Sequence, residues 1–340
     1  MKRLRKQDRA FAIFLIAVII FLFIAPFILL PQIYGLQNIW NKDLPENTVF
    51  LELWEIDTFE GGSASRVRFL EKTAYKFQEL NNTVYIFVRN LTLEQARVML
   101  ENGEKPDMVS FGIGAGEMLQ SYCQGLDIKT PVRSDIIVGG EVNSQQLAMP
   151  WCMGGYMLAT LGEFDLESDL STLQKSSKNT SLIGTGGVYN LSRQALSNNN
   201  LDYFPDALTQ YQAYEKFLVG SNFDILLGTQ RDYFRLQNKV NLGVLSNCNF
   251  KYIGGFSDLV QYIAITAENE DIINCANNFI RYLCSVTIQK TLKNIGMFSV
   301  TSIKIYDDNY SDFENTMMQK IVVQNVFVNN VELDKLRKGE

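Results

Sequence analysis

Twenty consecutive uncharged residues, Phe11–Leu30, constrain this chain more than any other feature. At 1.5 Å per residue a helix of that length rises about 30 Å, the hydrocarbon thickness of a bilayer. In lipid such a helix satisfies its own backbone hydrogen bonds. Lys2, Arg3, Arg5, Lys6 and Arg9 precede the run, and a cationic flank of this kind stays on the cytoplasmic side. The expectation is a cytoplasmic tail over 1–10, a single-pass transmembrane signal anchor over 11–30, and the bulk of the chain outside the cell. A cleaved signal peptide has an apolar region of about 7–15 residues and a small-x-small cleavage site. An uncleaved anchor is therefore the first reading, with cleavage near Ala25 as the alternative. No cysteine follows the run until Cys123, which speaks against a lipid-anchored N-terminus.

The remaining chain exceeds what one hydrophobic core usually supports, so two lobes are expected. Its composition, 46% hydrophobic and 20% charged, is that of an ordinary globular protein. Five basic residues and one acidic residue in 1–10 leave −10 on the rest of a chain whose total is −6. An acidic ectodomain argues against nucleic acid as a partner, because phosphate binding needs a basic face. There is no histidine, which excludes Ser-His-Asp and Cys-His catalysis and His-rich zinc sites. No metal or cofactor is expected. Cys123, Cys152, Cys248, Cys275 and Cys284 are odd in number, widely spaced and without a CxxC pair. Buried free thiols are the first reading, and one bridge the alternative.

From Val49 onward strand and helix signals alternate, which points to a parallel sheet flanked by helices. Thr48–Ile56 reads as a strand with a polar and aromatic tip. Gly61-Gly62-Ser63 opens a helix with Val67, Leu70, Ala74, Phe77 and Leu80 on its inner face. Val84–Val88 is a continuous apolar run, as in a strand covered on both sides. Thr92 and Gln95 form a capping box for the next helix, and Gly103 is its stop. Met108–Phe111 is a third strand, ending in Gly112-Ile113-Gly114-Ala115-Gly116. In such open sheets a ligand sits at the carboxyl ends of the strands. Residues 146–159 read as an extended crossover broken by Pro150 and Gly154-Gly155, and 171–181 as an exposed loop. Asp206–Val219 is an amphipathic helix, Phe223–Leu227 a strand, and Thr229 caps the helix after it. Leu259–Thr266 returns the chain to the first lobe, followed by a helix over Asp271–Cys284.

Six segments then matter together: FLELWEIDTFEGG, EKPDMVSFG, AMPWCMGGYML, FDILLGTQRD, GGFSDLVQYIAIT and NIGMFSV. In their order and spacing over about 48–305 the chain resembles the extracellular solute-binding proteins (family 1, sugar and oligosaccharide type) of bacterial ABC importers. None of the segments is a catalytic signature. The resemblance implies an α/β, two-lobe periplasmic-binding-protein-like fold (type II), here preceded by one N-terminal transmembrane helix. It implies a first lobe over 45–148 with a return segment over 258–305, a second lobe over 152–255, and a C-terminal helical segment over 306–340. It also implies closure of the lobes on a solute. Gram-positive members of the family usually carry a lipid-anchoring cysteine, and in this chain the apolar helix would do the tethering.

A sugar presents apolar ring faces and many hydroxyls, so its site needs aromatic platforms and a few fixed polar groups. Strand ends and crossovers supply such residues at Trp54, Glu55, Asp57 and Phe59, at Phe111, at Trp151 and Tyr156, and at Gln230, Arg231 and Asp232. Each also has a plainer reading. Trp54 could fill the core, Glu55 and Asp57 could form a solvated edge, and Arg231 and Asp232 a structural ion pair. Trp151 is the strongest candidate, since a Trp beside Pro150 and Gly154-Gly155 suits a central core poorly. Gly184-Thr185-Gly186-Gly187 lacks the Lys-Ser/Thr of a phosphate loop and reads as a turn.

These features lead to a membrane-tethered, non-enzymatic receptor that captures a small solute, a carbohydrate first, for ABC permease subunits. A ligand sensor reporting to a membrane sensor kinase is the alternative. A surface glycosidase using Glu55 and Asp57 is the third reading. It rests on a spacing of roughly 7 Å between alternate alpha carbons of a strand.

Overall fold

The computed structural model describes residues 45, 47–161, 182–183, 191–199, 208–219 and 225–338. The expected tail and anchor, the loop at 171–181 and the glycine turn at 184–187 lie outside the described residues. Among those described, no helix is long and apolar enough to cross a membrane.

Residues from Val49 onward form one compact unit around two sheets. Strand β1 (Val49–Asp57) is followed by helix α1 (Arg66–Leu80), strand β2 (Val84–Thr92), helix α2 (Leu93–Glu101) and strand β3 (Met108–Phe111). Strands β4 (Met149–Met153) and β5 (Tyr156–Leu161) flank Gly154-Gly155, so the expected crossover is a pair of strands, one for each sheet. Strand β6 (Leu182–Ile183), helix α3 (Gln210–Val219), strand β7 (Ile225–Thr229), helix α4 (Gln230–Asn241) and strand β8 (Cys248–Ile253) complete the second layer. Strand β9 (Val260–Ile265) and helix α5 (Glu270–Leu283) return to the first.

The first sheet has the order β2-β1-β3-β9-β4 and the second β8-β5-β7-β6. The expectation of a purely parallel sheet is corrected. Strands β1, β2 and β3 run parallel, but β9 is antiparallel to both β3 and β4. The cause is the crossover. Strand β4 carries the chain out at the carboxyl end of the first sheet, so the strand that comes back enters there and runs the opposite way. The second sheet is antiparallel except for the β6–β7 pair.

Helix α1 starts where Ser65 accepts the Arg68 amide. Its buried face is Arg66, Phe69, Leu70, Thr73, Ala74 and Phe77. Val67 is only half-buried and Leu80 is exposed, so the inner face is rotated from the expected one. Helix α5 turns Ala276, Phe279, Ile280 and Leu283 inward, and the Phe77 and Phe279 rings meet edge to face at 5.5 Å. Each such ring or branched side chain contributes about 1.5–3 kcal/mol by leaving water. The capping box of Thr92 and Gln95 is formed as expected. Strand β2, read as covered on both sides, is the sheet edge and leaves Phe87 exposed.

The C-terminal stretch is not purely helical. Helices α6 (Ser311–Met318) and α7 (Asn330–Lys338) are separated by Val322-Val323, which pairs in parallel with Phe256-Ser257. All five cysteines are free, with Cys152 and Cys284 buried.

Candidate functional site

Two clusters of polar side chains meet the carboxyl ends of the first sheet. The inner one is buried. Register sets Glu55 of β1 opposite Ser110 of β3, and Gln261 of β9 reaches both. Glu55 Oε1 accepts from Arg66 Nε at 3.1 Å and from Gln261 Nε2 at 3.2 Å. Ser110 Oγ accepts from Gln261 Nε2 at 3.2 Å and from Trp151 Nε1 at 2.9 Å. Burial pushes the Glu55 carboxyl up to about 7 against the pull of the Arg66 guanidinium. Glu55 Oε2, Arg66 Nη1 and Gln261 Oε1 are buried and have no hydrogen-bond partner among the described residues.

The outer cluster joins the two sheets. Gln230 opens α4 from the second sheet. Its Oε1 accepts the Gly155 amide at 3.0 Å and its Nε2 donates to the Glu60 carbonyl at 3.2 Å. A side chain at Gly154 would collide with Gln230, and one at Gly155 with Met317 and Phe313. The two glycines thus let the seam close to backbone distance. Arg231 Nη1 donates to the Gly62 carbonyl at 2.8 Å, and Arg235 Nη2 lies 3.2 Å from Glu60 Oε2. Beside these pairs lies a cavity of about 450 Å³, lined by Gly62, Ser63, Phe234 and Asn238 together with Arg231 and Arg235. An aromatic ring with guanidinium and amide donors is the chemistry that binds a polyhydroxylated ring.

The structure sorts the ten candidates sharply. Trp54, Glu55, Phe111, Trp151, Tyr156, Gln230 and Asp232 are fully buried and Phe59 is 8% exposed, which leaves Asp57 and Arg231 in contact with solvent. Trp151 corrects the expectation that it stands outside the core. Its ring stacks on Phe69 at 5.7 Å, and Ser110 takes its N–H. Trp54 donates to Glu52 Oε1, and Phe111 packs against Phe327. Tyr156 donates to Asp258 Oδ1 at 2.8 Å, and burial raises the Asp258 carboxyl to about 6. Asp232 is the acidic partner in the capping box of α4. Glu55 and Asp57 do share a side of β1, yet one guanidinium, that of Arg66, holds both. Phe59 lies under the same group, 4.3 Å from it.

Arg66, Gln261 and Arg235 escaped the sequence reading. Arg235 was within reach of it, since it stands one helical turn after Arg231 and so on the same face. Among the described residues no group of Cys, Asp and Glu is placed to hold a metal ion.

Known structures share this fold over most of their length. The sugar-binding protein MalE from Xanthomonas citri superposes with a TM-score of 0.61 at 12% identity, over 85% of this chain and 90% of that one. The fold is that of the two-lobe sugar-binding proteins. The GacH receptor of Streptomyces glaucescens, known unliganded and with acarbose, matches this two-lobe fold with a TM-score of 0.57 at 11% identity, over 86% and 93% of the chains. The Thermus thermophilus maltotriose-binding protein, bound to maltotriose, gives 0.52 at 12% identity, over 85% and 97%. No protein-family model matches the chain, and neither does any curated protein sequence.

Proposed function

We propose that this protein is an extracellular solute-binding protein that captures a carbohydrate between its lobes and delivers it to an ABC importer. The observation that carries this reading is the seam itself. The first lobe contributes Glu60 and Gly62, the second contributes Gln230, Arg231 and Arg235, and the cavity they border holds the Phe234 ring and the Asn238 amide. Closure over a solute would exchange some of these direct contacts for contacts to the ligand, which is how a ligand selects a closed state. Neighbours in fold that bind oligosaccharides support the carbohydrate class.

The binding reading carries no turnover. Glu55 and Asp57 do not flank a cleft as an acid and a base would, because both point at Arg66. Tethering by 11–30, with 1–10 in the cytoplasm, belongs to the same proposal and rests on the apolar run alone. Permease subunits are the partner this reading requires, and a sensor kinase would replace them if occupancy were reported instead.

The test is a thermal-shift series on the full-length protein in detergent, with maltotriose and other oligosaccharides. A ligand that binds the folded state raises the melting temperature by mass action. An upward shift without product by chromatography, weakened about tenfold or more in affinity by Arg235→Ala, is the expected result. Release of shorter sugars, or no shift with any of them, would overturn the reading.

A further inference from the structure

A second cavity, of about 350 Å³, lies on the first lobe between α1 and residues 288–295. Arg68, Lys72 and Lys76 border it, four residues apart and therefore in one row along the exposed side of α1. Like charges so spaced repel, and α1 has no acidic residue in its first turn to meet the positive end of its dipole. Helix stability alone would not select this row. None of the three side chains has a hydrogen bond or ion pair among the described residues. Elsewhere Arg66, Arg97, Arg133 and Arg235 each hold a carboxylate. Glu71 and Glu79 belong to the same helix but do not line the cavity. Facing the row, Asn294 adds an amide, the Thr291 hydroxyl donates to the Ile288 carbonyl at 2.6 Å, and Phe69 with Ile288 provides an apolar floor.

We propose that this cavity binds a phosphate monoester. One guanidinium and two ammonium groups around a small concavity match a dianionic phosphate in charge and in donor number. The apolar floor takes the carbon skeleton. The site lies within one lobe, so it does not depend on the seam or on the carbohydrate reading.

Glycerol 3-phosphate titrated into the full-length protein in detergent tests it by calorimetry. Millimolar or tighter binding is expected, weakening about tenfold or more in Lys72→Glu/Lys76→Glu and falling steeply with added salt. Lys335→Glu, on α7, should leave the affinity unchanged, and Lys72→Gln/Lys76→Gln repeats the test if the reversed charges impair folding. Competition by phosphatidic acid vesicles, whose headgroup is itself a phosphate monoester, would place the ester on a lipid headgroup, and its absence on a soluble molecule. The oligosaccharide thermal shift should survive both double variants. Absence of binding at millimolar ester, or equal affinity in wild type and the glutamate variant, would overturn the proposal.

Discussion

The inner and outer clusters are built from the same residue types and do opposite work. Arg66 with Glu55 and Asp57 lies at the carboxyl end of β1, its side chain 1% exposed. Arg231 and Arg235 with Glu60 lie at the seam, their side chains 24–39% exposed. Desolvation separates them. A buried ion pair is costly to form but far costlier to break on one side, because the survivor is left charged in a poor solvent. A half-exposed pair exchanges readily with water and is worth little either way. The first cluster therefore ties β1 and α1 firmly together, while the charge pairs of the second add little to stability.

The sharpest way to break this contrast is to remove a member of the inner cluster. Arg66→Met should cost about 3–5 kcal/mol in urea unfolding above about pH 7, where Glu55 is ionised and would be stranded without its cation. Trp151→Ala should cost a similar amount, about 3–5 kcal/mol, by leaving a cavity under Phe69 and an unfilled hydrogen bond at Ser110. A Trp151→Ala protein of wild-type stability that had lost only its ligand would return this residue to the cleft and dissolve the contrast.

That pair of residues also shows what the sequence could and could not reveal. Strand β3 appears at its expected limits, and Thr92 and Thr229 cap the helices expected of them. Local chemistry decides those features, so a local reading finds them. The fate of Trp151 and Glu55 was hidden, because their partners are distant in sequence: Phe69 and Ser110 for the one, Gln261 for the other. Period two put Glu55 and Asp57 on one side of β1 correctly. It could not show that Arg66, from the next helix, would take both. The seam was half legible: Gln230 and Arg231 stood out at a capped helix start, but Glu60 gained its meaning only when Arg235 came across from the second lobe.

The next test uses pH, where the buried carboxyl should announce itself. Glu55 ionises near 4.5 when unfolded and near 7 when folded, because burial disfavours its charge. Between those values the folded protein holds a proton that the unfolded chain has released. The stabilisation is thus complete below the lower value and is lost as pH rises through the window, by about 3 kcal/mol at 1.36 kcal/mol per unit. Asp258 acts in the same direction between 3.8 and about 6. Urea midpoints should therefore fall as pH rises from about 5 to about 7, and Glu55→Gln should flatten the upper part of that slope, above the range of Asp258. An unchanged slope in the variant would show that Glu55 is already ionised beside Arg66.

The smallest effect on stability should come from the seam, and it is the most informative about motion. Glu60→Gln removes the carboxylate shared by Arg231 and Arg235, yet half-exposed pairs of this kind contribute only about 0–1 kcal/mol. Gln230 still bridges Gly155 and Glu60 through the Glu60 main chain, so the lobes keep one contact that does not depend on charge. The variant should consequently melt within a few degrees of wild type while small-angle scattering reports a larger radius of gyration without ligand. Raising the ionic strength of the wild-type protein to about 1 M should move it the same way, because screening at that salt acts within about 3 Å. A stability loss above about 2 kcal/mol would place the seam in the same energetic class as the buried cluster. The lobes would then be one rigid body, and a cleft that closes on a solute would have nothing to close with.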